Sequence, residues 1–122
     1  MQPNILVVDD DGDVRALAVS MIELLGHPVV AAEGGAEALA ALARHPSIRL
    51  LFTDVLMPGM SGYALARAAL ALRPDLSVLM TTGYLGGEEP DEADLAALPV
   101  LRKPYRLAQL EPILRQLLDD RE

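Results

Sequence analysis

Cysteine is absent from this sequence, which removes disulfide frameworks, thiolate zinc sites and cysteine nucleophiles together. Tryptophan is absent too, and aromatics make up only 3% of the chain, so aliphatic side chains must build the core. The two histidines, His27 and His45, are not at metal-ligand spacing. Both fall in helix-to-strand connections near prolines and read as surface residues. Positive charge is scarce: 10 basic residues stand against 18 acidic ones, a net charge of −8. Phosphate contacts need Lys and Arg, so neither nucleic acid nor an anionic membrane is an expected partner. No apolar run approaches the ~20 residues of a membrane span, and no basic segment precedes an apolar one at the N-terminus. A cytoplasmic location is the expectation. The 122 residues suit a single domain.

What is present is alternation. Ile5 to Val8 is a short β-branched run that ends in Asp9, Asp10 and Asp11. From Val14 apolar residues recur at the helical period through Leu25, and Gly26 follows as a stop. Val29 and Val30 with two alanines predict a second strand. The alanine-rich stretch from Ala36 to Arg44 predicts a helix. Ile48 to Thr53 reads as a third strand ending at Asp54. Pro58, Gly59 and Gly62 read as a turn, and Ser61 can cap a helix running to about Leu72. Leu76 to Thr81 predicts a fourth strand, Val100 and Leu101 a fifth, and Leu107 to Leu118 a last amphipathic helix. Between Thr82 and Val100 only Asp91 to Leu98 can be helical, so a fourth helix there is expected to be short or irregular.

Strands alternating with helices predict βαβ units and a parallel sheet. Unbroken apolar strands suit a sheet covered on both faces. The expected fold is a doubly wound α/β domain with five parallel strands in flavodoxin-like order 2-1-3-4-5, occupying residues 1–122. In such sheets the functional site lies outside the carboxyl ends of the strands. Asp9 and Asp10 end the first strand, Asp54 the third, Thr81 and Thr82 the fourth, and Arg102 and Lys103 follow the fifth. Each has a bland alternative: Asp11 or Asp13 can cap a helix, Asp54 can cap a turn, and Thr82 can be structural. Lys103 resists such a reading, because it is the only lysine beside nine arginines. Pro104 after it suggests a fixed backbone with a possible cis bond. Clustered carboxylates repel one another, and a divalent cation relieves that conflict. A carboxylate held beside Mg²⁺ can attack a phosphoryl group and form an acyl phosphate. A lysine and a threonine hydroxyl suit the phosphoryl oxygens.

These segments resemble the receiver domain of two-component response regulators along the whole chain. Ile5-Leu-Val-Val-Asp-Asp10 is similar to the family's first strand with its acidic pair. Asp54 to Gly62 is similar to its phosphoacceptor segment, Thr82-Gly83 to the pair ending strand four, and Lys103-Pro104-Tyr105 to the motif ending strand five. The resemblance implies that Asp54 accepts a phosphoryl group from a phosphohistidine on a sensor histidine kinase or histidine phosphotransfer protein. It implies Mg²⁺, with Mn²⁺ as a substitute, on Asp10, Asp54 and the carbonyl of Leu56, with Asp9 assisting directly or through water. It implies that Lys103 and Thr82 contact the phosphoryl group, and that the output is contact with a downstream protein. Beyond its own phosphotransfer and dephosphorylation, no enzymatic activity is implied.

Two departures stand out. The family often has an aromatic residue three before the lysine, where this chain has Val100. The readout is therefore expected in residues 84 to 98 instead. That glycine-containing stretch resembles receivers of hybrid kinases and of some stand-alone regulators more than receivers that drive DNA-binding domains. With Met1 at its start and no output segment, a single-domain regulator is the expected context, and a hybrid kinase the second. The resemblance implies that Leu56 and Tyr84, two residues after Asp54 and Thr82, flank the path of a hydrolytic water; neither can orient one, which predicts a slowly decaying phosphoryl state. One alternative is a haloacid-dehalogenase-type phosphatase, with Asp9 as nucleophile and Asp11 as acid; it leaves Asp54 unexplained. The other is a constitutive pseudo-receiver, whose signature, loss of a site residue, is missing.

Overall fold

The computed structural model describes residues 2–83 and 98–119. Five strands form one parallel sheet: β1 (Ile5–Val8), β2 (Val29–Ala32), β3 (Leu50–Asp54), β4 (Ser77–Thr82) and β5 (Val100–Arg102). Their order is β2-β1-β3-β4-β5, as expected from the sequence. Among the described residues there are four helices: α1 (Gly12–Leu24), α2 (Gly35–Arg44), α3 (Gly62–Leu72) and α4 (Leu107–Asp119). The expected short helix over Asp91 to Leu98 lies almost wholly outside the described residues. No described helix is long and apolar enough to cross a membrane.

Strand alternation divides the core into two layers. Leu6 and Val8 of β1, Leu51 of β3, and Val78 and Met80 of β4 face Ala38, Leu42, Leu65 and Ala69 from α2 and α3. Ile5 and Val7, Leu50 and Phe52, Leu79 and Leu101 face Ile22 of α1 and Leu110, Leu114 and Leu118 of α4. Each central strand thus buries both faces, which is why its sequence shows no polar alternation.

Element ends follow local hydrogen bonding. Asp11, one of the two caps expected from the sequence, is the N-cap of α1, its carboxylate accepting from the N–H groups of Asp13 and Val14, so the helix starts at Gly12. Ser61 caps α3 in the same way through the N–H of Ala64. β3 begins at Leu50 instead of Ile48. Ile48 is buried, but its N–H donates to the carbonyl of His45 and its own carbonyl accepts from Arg73. Leu76 likewise donates to the carbonyl of Arg73, so β4 begins at Ser77. His27 and His45 are partly exposed in the helix-to-strand connections where the sequence places them.

Candidate functional site

Parallel strands in this order bring their carboxyl ends to one edge. Asp9 follows β1 and is 4% exposed, while Asp10 beside it faces solvent. Asp54 closes β3 and is half-buried. Carboxylate oxygens of Asp9, Asp10 and Asp54 all lie within 4.8 Å of one another. Lys103 follows β5 and points into this group. Its Nζ lies 3.1 Å from Asp9 Oδ2 and 3.4 Å from Asp54 Oδ2. Thr82 is half-buried at the end of β4, and its carbonyl accepts the N–H of Lys103 at 2.7 Å. The peptide bond from Lys103 to Pro104 is cis.

Backbone contacts hold the carboxylates in place. Asp9 Oδ1 accepts the N–H of Asp11 at 2.9 Å. Arg15, from the first turns of α1, donates through Nη1 to the carbonyl of Asp9 at 2.8 Å. The N–H of Leu56 donates to the Asp54 carboxylate, and Leu56 itself is exposed on the loop after β3. Gly62 lets this loop fold back: its N–H donates to the carbonyl of Val55 at 2.8 Å. A Cβ on Gly62 would stand 2.2 Å from the carbonyl oxygen of Asp54, so no larger residue fits.

Burial pushes the Asp54 carboxyl above its ordinary value. The Lys103 ammonium opposes that shift, the nearby Asp9 charge adds to it, and the hydrogen bonds from Lys103 and Leu56 oppose it. Tyr105 packs edge-on against Phe52, with ring centroids 6.0 Å apart. Burial first, and the Asp9 charge second, push its phenol up to about 12.

Three carboxylates face one ammonium, so the site carries more negative charge than Lys103 can offset. All the donors are oxygens, with no nitrogen or sulfur ligand among them. That chemistry suits a hard divalent cation of the Mg²⁺ kind. The structure therefore brings together Asp9, Asp10, Asp54 and Lys103 through side chains, and Leu56 through its backbone. It sets Thr82 on the adjacent strand end. Tyr84 lies outside the described residues. Arg15 was not singled out by sequence reasoning as part of this edge; Tyr105 was, as the aromatic of the Lys103-Pro104-Tyr105 motif, but without its packing on Phe52.

A family model described as the response regulator receiver domain matches residues 5–115. The chain belongs to this family, whose members are phosphorylation-controlled signalling switches of two-component systems. It is 36% identical over 115 residues to the response regulator receiver protein CpdR of Brucella abortus (strain 2308), covering 93% of this chain and 95% of that one. It is 33% identical over 118 residues to the probable transcriptional regulator ycf27 of Cyanophora paradoxa, where 93% of this chain covers 47% of the relative. The expected contrast with receivers of transcriptional regulators is thus not visible at the level of overall identity. Among solved structures, the Vibrio cholerae chemotaxis protein CheY4 superimposes with a TM-score of 0.85 at 26% identity, covering 96% of this chain and 99% of that one. The family match supports neither the phosphatase nor the pseudo-receiver alternative. Asp11, the acid of the phosphatase reading, has its carboxylate engaged in capping α1.

Proposed function

We propose that residues 1–122 work as one receiver unit in which Asp54 is the phosphoacceptor. The observation that carries this reading is Lys103 Nζ poised between Asp9 and Asp54, at 3.1 and 3.4 Å, at the edge where Asp10 joins them. Asp9, Asp10, Asp54 and the carbonyl of Leu56 would hold Mg²⁺, with Mn²⁺ able to replace it. Bound there, the cation supplies charge neutralisation for a phosphoryl group brought up to a crowded acidic edge.

The chain's own residues do the rest. An oxygen of the ionised Asp54 carboxylate forms the new O–P bond. The N–P bond of a phosphohistidine on a sensor histidine kinase or histidine phosphotransfer protein breaks, and its electron pair stays on the imidazole, which takes up a proton from solvent. Lys103 keeps Asp54 available for attack by opposing the effect of its burial. While still paired with Asp9, it can then donate to the phosphoryl oxygens of the product, toward which the Thr82 hydroxyl also turns. Output passes through contact with a downstream protein, in the cytoplasm, and no turnover of a separate substrate is involved.

The test is incubation of the protein with a small acyl-phosphate donor, followed by intact-mass measurement. One phosphoryl group should be gained with Mg²⁺ present, and none with a chelator or in Asp54→Asn. Unchanged labelling of Asp54→Asn would overturn the assignment.

A further inference from the structure

The loop from Val55 to Ser61 carries Leu56, and Leu56 reaches Asp54 through its N–H. One end of this loop is fixed by Gly62 over the Asp54 carbonyl. The other fixed point is on a different element. Gly35, the first residue of α2, is buried, and the half-buried Met60 side chain lies directly on it. A Cβ on Gly35 would stand 2.4 Å from Met60 Sδ, 3.1 Å from Met60 Cβ and 3.2 Å from Met60 Cγ. Rotating the thioether away would relieve the first of these distances but not the contact with Met60 Cβ, which moves only with the backbone. The adjacent Gly34 differs: a Cβ there meets nothing within 4 Å. Gly35 has no positive φ, so alanine fits its backbone conformation. Apart from Met60, alanine at a first helical position should favour α2.

We infer that Gly35 and Met60 form a steric notch that positions the loop after β3, and through it the Leu56 backbone, for cation and phosphoryl binding at Asp54. Both are positioning residues, acting through Leu56 and touching no reacting atom. The inference rests on the metal-dependent reading proposed above.

The test compares Gly35→Ala, Gly34→Ala, Met60→Gly and the double variant Gly35→Ala/Met60→Gly in the full chain, glycine being chosen at 60 because it removes Met60 Cβ as well as the thioether. Mg²⁺ affinity is read by calorimetry, and the Leu56 amide resonance by NMR. Gly35→Ala should weaken Mg²⁺ about tenfold, the low end of the loss seen when support around metal ligands is disturbed. It should also shift the Leu56 amide. Gly34→Ala should do neither. The double variant should recover most of the lost affinity, because the clash needs both side chains. Should Gly35→Ala fail to fold, recovery of folding in the double variant establishes the same steric coupling, and continued failure overturns it. Equal Mg²⁺ affinity and equal Leu56 shifts in Gly34→Ala and Gly35→Ala would also overturn the inference. A parent protein that binds no Mg²⁺ would instead defeat the reading of the site. The notch would then stand or fall on the Leu56 amide alone, which must still move in Gly35→Ala and not in Gly34→Ala.

Discussion

Asp54 is held between opposing influences, and their balance can be read from stability. Burial and Asp9 raise its pKa above 3.8, while Lys103 lowers it, and the net direction is upward. Below 3.8 the carboxyl is neutral in both folded and unfolded chains. As pH rises through the folded value, the unfolded chain gives up its proton more readily, so this group's contribution to stability is lost. Asp54→Asn should therefore raise the melting temperature at neutral pH, and the gain should shrink toward pH 3.8. Lys103 keeps Asp9 as a partner in that variant. Tyr105 gives a second titration: with its phenol near 12 against an ordinary value of 10.0, stability should fall as pH rises between those two values. In a near-ultraviolet titration Tyr105 should ionise late, and Tyr105→Phe should remove that late step. At Leu56, an exposed side chain beside Asp54, the lifetime of the acyl phosphate should shorten severalfold in Leu56→Asn, because an amide can orient a water that leucine cannot. A lifetime unchanged by Leu56→Asn would contradict this. At the residue scale the sequence was informative wherever chemistry is rare. A single lysine, an acidic pair and an aspartate at strand ends are identifiable without coordinates. Arg15 was not, because a guanidinium on a backbone carbonyl depends on tertiary packing; Tyr105 was legible as the aromatic after Lys103-Pro104, but its ring contact with Phe52 was not.

The elements were legible to within a residue or two, and the discrepancies have local causes. Ile48 and Leu76 look like strand residues because they are apolar, and both are buried. Their N–H groups, however, turn to the carbonyls of His45 and Arg73, which delays β3 and β4. Hydropathy reports burial, not the direction of a hydrogen bond. In α4, Pro112 sits inside a helix that its missing N–H should weaken. The helix persists because Leu110, Leu114 and Leu118 are buried against the sheet, and packing outweighs propensity. Gly62 is the most demanding position at this scale. A side chain there meets the Asp54 carbonyl oxygen at 2.2 Å and Val55 Cα at 2.9 Å, and both are backbone atoms that cannot step aside. Gly62→Ala should cost about 3 kcal/mol, the upper range for overpacking, as measured by denaturant unfolding. A loss below about 0.5 kcal/mol, the level of an ordinary surface change, would contradict the close approach.

Across the whole molecule, one arrangement explains why the site could be anticipated before the fold was seen. A parallel sheet in the order β2-β1-β3-β4-β5 delivers every strand's carboxyl end to the same edge. Residues far apart in sequence, Asp9, Asp54 and Lys103, therefore meet as a consequence of topology. What topology does not specify is the set of distances, which come from the cap at Asp11, the donation from Arg15 and the fold-back at Gly62. The expected readout over residues 84 to 98 lies almost wholly outside the described residues. The central claim is that this edge transfers a phosphoryl group to Asp54. The most direct measurement is to map the modified residue after treatment with an acyl-phosphate donor, using borohydride to reduce the aspartyl phosphate to homoserine. Peptide masses should show homoserine at position 54 when Mg²⁺ is present and none with a chelator. Homoserine at position 9 or 10, or labelling at Asp54 that ignores the cation, would contradict the account.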